Sequence, residues 1–578
     1  MNAMAYKISD NILSPLGSTT KENYDAVLSG QSAVRCHSGC FGIPEPFAAS
    51  LFSENQNRQL AVSGLTRFES LVVRSVRSAA DGTGINLSGH DVVFIFSTTK
   101  GNINLLNDSQ TQLSDTYPGT AAQHIAHALG ITTTPITVCN ACISGVSAII
   151  LAQRLLSARK YHYAVVCGAD VQGQFIISGF QSLKALSATP CKPFDIERNG
   201  LNLGEAASTI ILAGDDDPHP TPNAWHITGG AIRNDAFHIS SPAKDGMGAR
   251  LALQEAFRGI DASSLAFINA HGTATMFNDQ MESVAISRSS LPMVPVNSYK
   301  GYFGHTMGAA GILETVLSMY ATDNNTIIGT KGFDEIGVSG KILLSNSHCT
   351  TDKSTFIKMI SGFGGCNAAI CVSKSPLHPF TGQPHTFRAA HHVTISTSMV
   401  EVDGMPLHTE QTGIPMLTAI YKQYVGDYPK FYKMDLVSRL GFLAAELLTS
   451  AEGDTCHDVD SSRAIVLFNR SSSILSDIKY NESVADADNY YPSPSVFVYT
   501  LPNIVTGEIA IRKQYHNETS FFILPEKDNG LMRQIVEATF ADTSIQSIIT
   551  GWIDAENDDN FCADMEIVER IQEEVSNR

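Results

Sequence analysis

Val138-Cys-Asn-Ala-Cys-Ile-Ser-Gly145 decides how the rest of the chain is read, because His271-Gly-Thr-Ala-Thr275 and Lys300-Gly-Tyr-Phe-Gly-His305 follow it in order. Ahead of it, Ile136-Thr-Val138 is a short apolar, β-branched run that predicts a strand. Behind it, Ser144 to Leu156 predicts a largely buried helix. Cys142 therefore sits on a strand-to-helix turn, facing the positive end of the helix dipole and unpaired backbone N–H groups. That setting favours the thiolate, the form that attacks carbonyls, so Cys142 is the candidate nucleophile. The other ten cysteines, Cys139 among them, read as structural thiols, and their spacing sets up no disulfide framework, which predicts a reducing compartment.

Further matches flank these three. They are Lys192-Pro-Phe-Asp195 leading to Gly204-Glu-Ala206, Asn278-Asp279 and Glu282 after the first histidine, and Ser298 before Lys300. Gly308-Ala-Ala-Gly311 and Gly362-Phe-Gly-Gly365 with Asn367 complete the set. On this ordered set, residues 1 to about 375 resemble the β-ketoacyl-acyl carrier protein synthases, elongating condensing enzymes of the thiolase fold.

The resemblance implies an α/β, five-layer αβαβα architecture and a decarboxylative condensation. Cys142 would hold an acyl group, while His271 and His305 hydrogen-bond the malonyl thioester oxygen as its enolate forms. Backbone N–H groups of Cys142 and Phe363 would meet the second oxyanion, where one preorganised donor is typically worth about 2.7 to 4 kcal/mol. Lys300 and Glu314 would form a buried ion pair that orders the histidine loop, with Asp279 and Glu282 in support. Phe363, between Gly362 and Gly364, would be the gate for acyl chains. No metal is expected, since the histidines lie in glycine-rich loops without a third ligand at a recognised spacing. No bound cofactor is expected either, because phosphopantetheine arrives on acyl carrier protein. The chain departs from the family at Asn140, Ile143, Asn199, Ser361 and Cys366, which surround the reactive groups.

The chain has 578 residues, 43% hydrophobic and 17% charged, enough for more than one domain and sizeable cores. A net charge of −18 without a long basic run argues against nucleic acid. No signal-like opening and no uninterrupted apolar run of about 18 residues occur, so a cytoplasmic enzyme off the membrane is expected. An acidic carrier would need a local basic patch, for which Arg67, Arg74 and Arg77 are candidates, a solvated helix face being the equal alternative.

The expected organisation is an N-terminal half with the nucleophile (1–240), a C-terminal half with the His and Lys motifs (241–375), a proline-containing linker (376–390) and a repeat of the N-terminal half (391–578). Phe431 to Arg439 parallels Gly64 to Val72, Ala464 to Phe468 parallels Val92 to Phe96, and Leu501 to Ala510 parallels Tyr117 to Ala126. Anchoring Asp554 on Asp170 sets Glu526 opposite Cys142, so the repeat has lost its nucleophile. In thiolase-fold enzymes N-terminal halves pair, so the repeat is expected to take the partner's place in an intramolecular pseudo-dimer, the alternative being an ordinary homodimer. Competing activities are a malonyl-carrier decarboxylase that primes synthesis, the catalytic half of a ketosynthase-chain-length-factor assembly, and a thiolase, for which Cys366 is poorly placed.

Overall fold

The computed structural model describes residues 5–215, 217, 223–375, 387–453, 462–485, 490 and 492–571. One five-stranded pattern occurs three times. The first sheet uses β1 (Ala5–Leu13), β2 (Val92–Ser97), β3 (Ile136–Val138), β4 (Tyr163–Asp170) and β5 (Ala206–Ala213). Its order is β3-β2-β4-β5-β1, parallel through β3, β2 and β4, then antiparallel. The second uses β6 (His226–Asn234), β7 (Phe267–Asn269), β8 (Pro295–Asn297), β9 (Thr355–Gly362) and β10 (Cys366–Ser373) in the matching order β8-β7-β9-β10-β6. The third, from β11 (Phe387–Ile395), β12 (Arg463–Asn469), β13 (Thr519–Ile523), β14 (Ser547–Asn557) and β15 (Asn560–Arg570), runs β13-β12-β14-β15-β11.

Central strands such as β2, Val-Val-Phe-Ile-Phe-Ser, are buried at every position, as a sheet covered on both faces requires. Helices α1 (Arg67–Ala80) and α2 (Pro118–Leu129) cover the outside of the first sheet. Helix α3 (Ser144–Ser157) packs on α5 (Ala310–Asp323) between the first two sheets, and α4 (Met276–Arg288) lies outside the second. In the third unit, α6 (Leu436–Glu452) packs on α7 (Ile504–Lys513), and α8 (Asn529–Thr539) packs against α3. No helix among the described residues is long and apolar enough to cross a membrane.

The third sheet continues the first. Strands β3 and β13 pair antiparallel, Val138 with Phe522 and Thr137 with Ile523, joining the two five-stranded sets edge to edge. The Cys139 N–H donates to the Phe521 carbonyl at 3.0 Å, and the Asn140 side-chain oxygen accepts the Phe521 N–H at 2.6 Å. The departure at Asn140 thus has a structural role: its amide extends the ladder between the two units. Buried ion pairs tie the third unit to both of the others, Arg154 on α3 to Glu518 at 2.8 Å and Arg233 on β6 to Asp542 at 2.7 Å.

Two boundaries shift from the sequence expectation. The second sheet opens at His226, ahead of 241, because β6 is apolar enough to pair with β10 although it precedes the histidine motifs. The expected linker lies outside the described residues up to 386, and its last four residues, 387–390, already belong to β11. The ladders keep the expected anchor: Ser97 pairs with Gly168 and Phe468 with Trp552, each two residues before Asp170 and Asp554, so Ser97 answers to Phe468 and Val138 to Phe522. Counted along the chain from there, Glu526 stands opposite Cys142, and the third unit carries no nucleophile at that place.

Replacing Glu518 with alanine would leave the Arg154 guanidinium buried without its partner. The expected loss is about 3 to 5 kcal/mol, read as a lower denaturant midpoint. A change below about 1 kcal/mol would mean the two units are not held by this pair.

Candidate active site

Strand β3 ends at Val138, and a short 3-10 turn, Ala141–Ile143, carries Cys142 into α3. Ala141 adopts φ 48°, a left-handed conformation uncommon for a residue with a Cβ. The Ser144 hydroxyl clamps that turn, accepting the Asn140 N–H at 2.8 Å and donating to the Ala141 carbonyl at 2.6 Å. A Cβ on Gly145 would sit 3.0 Å from the Gly308 carbonyl, so only glycine lets the starts of α3 and α5 approach this closely. Asp170 fastens the same region, accepting from Thr98, Thr99 and the Gly308 N–H, the last at 2.7 Å.

The structure brings the three motifs together. Donor atoms of Cys142, His271 and His305 all lie within 4.8 Å of one another, and the imidazole centroids are 4.8 Å apart at 82°. The Glu282 carboxylate accepts the N–H groups of His271 and Gly272, each at 2.7 Å, and Asp279 accepts those of Phe194 at 2.7 Å and Ala274 at 3.1 Å. These two carboxylates shape the loop after β7 and stand behind the histidines. The His305 backbone is pinned by Asn202 at 2.7 Å and Gly204 at 2.9 Å. His271 Nδ1 and His305 Nε2 are buried and have no protein partner.

Lys300 pairs with Glu314 as expected, and a second lysine that the sequence reading missed, Lys358 on β9, reaches the same carboxylate. Lys358 also approaches the Ala270 carbonyl at 3.3 Å, next to His271. Its signal was present in the sequence: a lone lysine inside Phe-Ile-Lys-Met-Ile, an otherwise apolar strand. Burial pulls Lys358 down to about 8, with Glu314 acting against the shift.

Burial and the nearby Lys300 charge push both histidines well below the usual imidazole range. Burial pushes the Cys142 thiol up to about 12, with Lys300 acting in the opposite direction. Burial therefore acts against the thiolate that the strand-to-helix turn is expected to favour. At all three groups burial favours the neutral form.

A cavity of about 390 Å³ leads to these groups, lined among others by Asn199, Met276 and Phe363. Phe363 lies between Gly362 and Gly364, the latter at φ 91°, and stacks on Phe180 at 6.1 Å. The third unit touches this loop, since Asn503 Nδ2 donates to the Phe363 carbonyl at 2.8 Å. Arg67 is held by the Glu205 carboxylate, whereas Arg74 and Arg77 are exposed and bond backbone carbonyls, the solvated-face alternative. None of the three lines the cavity.

Residues 46–217 match the N-terminal domain of beta-ketoacyl synthase, and residues 225–334 match its C-terminal domain. The chain is 31% identical over 261 residues to 3-oxoacyl-[acyl-carrier-protein] synthase 2 of Rhizobium meliloti (strain 1021), covering 42% of this chain and 61% of that protein. It is 28% identical to a putative mitochondrial 3-oxoacyl-[acyl-carrier-protein] synthase of Schizosaccharomyces pombe (strain 972 / ATCC 24843), covering 44% of this chain and 64% of that one. In both cases, less than two thirds of the relative is spanned. Among solved structures, the PfaC keto synthase-chain length factor superposes with a TM-score of 0.80 at 15% identity, over 99% of this chain and 78% of that one. This likeness is one of fold, and it extends through the third unit.

For a thiol near 12, the thiolate fraction rises about tenfold per pH unit below that value. Alkylation of Cys142 by iodoacetamide should accelerate accordingly from pH 7 to 10, followed by peptide mass spectrometry. A plateau below pH 8 would show instead a thiolate stabilised at rest.

Proposed function

Because residues 46–217 and 225–334 belong to the β-ketoacyl synthase family, we propose that this chain catalyses decarboxylative condensation of a Cys142-bound acyl group with malonyl-acyl carrier protein, in fatty acid or polyketide synthesis. The observation that carries the proposal is the neutral His271 and His305 pair, each with an unpartnered buried ring nitrogen, beside the Cys142 thiol.

In the first step, the Cys142 sulfur attacks the acyl thioester and its proton leaves with the phosphopantetheine thiol of the carrier. Malonyl-carrier then enters. Loss of carbon dioxide places negative charge on its thioester oxygen, and both imidazoles donate N–H to it, which neutral rings can do without proton transfer. The resulting carbon nucleophile attacks the Cys142 thioester, whose oxyanion meets the N–H groups of Cys142 and Phe363. The carbon–sulfur bond to Cys142 then breaks, giving 3-oxoacyl-carrier. Glu314, between Lys300 and Lys358, offsets their charges where unopposed cations would perturb the histidines.

The partners are acyl carrier protein and its acyl and malonyl thioesters, with phosphopantetheine supplied by the carrier and no bound cofactor. The third unit serves as an inactive companion, replacing a homodimer partner at the β3 edge. Its pairing with β3 and the likeness to the PfaC keto synthase-chain length factor support that reading. A cytoplasmic setting is favoured by the ten unpaired cysteines among the described residues.

Cys142→Ala should abolish acylation and condensation. His271→Ala should keep acylation but lower condensation about 10²- to 10³-fold, by intact-protein mass spectrometry and product analysis. Carbon dioxide release from malonyl-carrier without acylation of the wild type would favour the decarboxylase alternative. The three donors lie close enough to hold a metal, so a chelator control belongs with this assay: undiminished turnover is expected, and loss reversed by zinc would overturn the metal-free scheme.

A further inference from the structure

On β9, Lys358 stands in register with Asn269 of β7, and its side chain is fully buried. Phe356 and Ile360, two residues to either side and so on the same face of the strand, join the apolar core. An apolar side chain would fill that place without the desolvation cost of an ammonium. The lysine instead reaches one oxygen of Glu314 on α5, while Lys300 holds the other. One carboxylate offsets one of two ammonium charges, so the trio keeps a single positive charge while both lysines are protonated.

Two contacts tie that charge to the histidines. The Lys358 ammonium donates to the Ala270 carbonyl at 3.3 Å, and the N–H of the same peptide, that of His271, donates to Glu282 at 2.7 Å. The peptide that carries His271 is therefore held at its carbonyl and at its N–H. Both imidazoles also feel the Lys358 charge, which disfavours imidazolium. A neutral ring donates N–H to an enolate oxygen, and a nearby positive charge favours the negative charge that develops there.

Resting on the condensation reading, we propose that Lys358 is a positioning residue for decarboxylation, setting the Ala270–His271 peptide and supplying the net positive charge against which the malonyl thioester enolate develops. Acylation of Cys142 places its oxyanion on the Cys142 and Phe363 N–H groups and does not draw on this lysine. The charged groups that face Lys358 are Lys300, Glu314 and, on α4, Glu282. Burial holds Lys358 down at about 8, so its charge is present below that pH and lost above it. Glu282, at about 7, and both histidines, well below the usual range, titrate on the acid side of that window.

The test uses the full chain, acylated at Cys142 by octanoyl-pantetheine at pH 7.5, freed of excess thioester and mixed with malonyl-pantetheine between pH 7 and 9.5. Carbon dioxide and extended product are followed in a single turnover, and the preformed acyl-enzyme removes the titration of Cys142 itself. The wild-type rate should fall about tenfold per pH unit above about 8. Lys358→Met leaves Lys300 and Glu314 as a balanced pair and so should fold. It should keep the wild-type rate of acylation, lose about 10²-fold in condensation at pH 7.5 and show no further fall to pH 9.5. A flat wild-type profile overturns the proposal without any variant. So does a variant that condenses as fast as the wild type, that keeps the alkaline fall, or that loses acylation as much as condensation, the last marking a merely structural lysine. A wild type that takes up no acyl group, or releases no carbon dioxide at any pH, overturns the condensation reading itself.

Discussion

The antiparallel pairing of β3 with β13 is the constraint on which the rest depends. Strand β3 has three residues and stands at the edge of its sheet, and Cys142 follows four residues beyond its end. Alone, that edge would expose unpaired N–H and C=O groups beside a reactive thiol, a liability sheets must cover. Strand β13 covers it, and the Asn140 amide carries the ladder one step further toward the nucleophile. The backbone that aims Cys142 is therefore held from one side by its own helix α3 and from the other by the third unit.

Burial on both sides sets the electrostatics. Burial disfavours the charged forms, lowering both histidines and raising the thiol. Charges that remain are compensated locally: Lys300 and Lys358 share Glu314, and Arg154 meets Glu518. The carboxylates of Asp279 and Glu282 accept backbone N–H groups, so their work is to shape loops. Burial raises them to about 6 and about 7 respectively.

Legibility differed from residue to residue. Cys142, His271 and His305 were readable because each lies in a short motif whose glycines and neighbours restrict the backbone around it, whereas the Lys300–Glu314 pair followed from the family resemblance. Lys358 went unread although its isolation in an apolar strand marks it, since nothing local says which carboxylate it meets. The repeat was visible through its apolar strands, whose strong hydrophobic pattern fixes their register, and the ladders agree with the anchor of Asp554 on Asp170.

By itself the sequence determined the chemistry-bearing groups, because the motifs that hold them are local and survive without a partner surface, and it gave the fold class through the family resemblance that those motifs carry. Tertiary structure alone decided the protonation of those groups, the identity of Asn140 as a ladder residue and the meeting of Lys100 with Asp477. Each depends on contacts between segments far apart in the chain, from 373 to 400 residues for the Lys100 partners and 381 for Asn140. Burial and pairing at such distance are properties of the packed molecule, and no single stretch of sequence carries them.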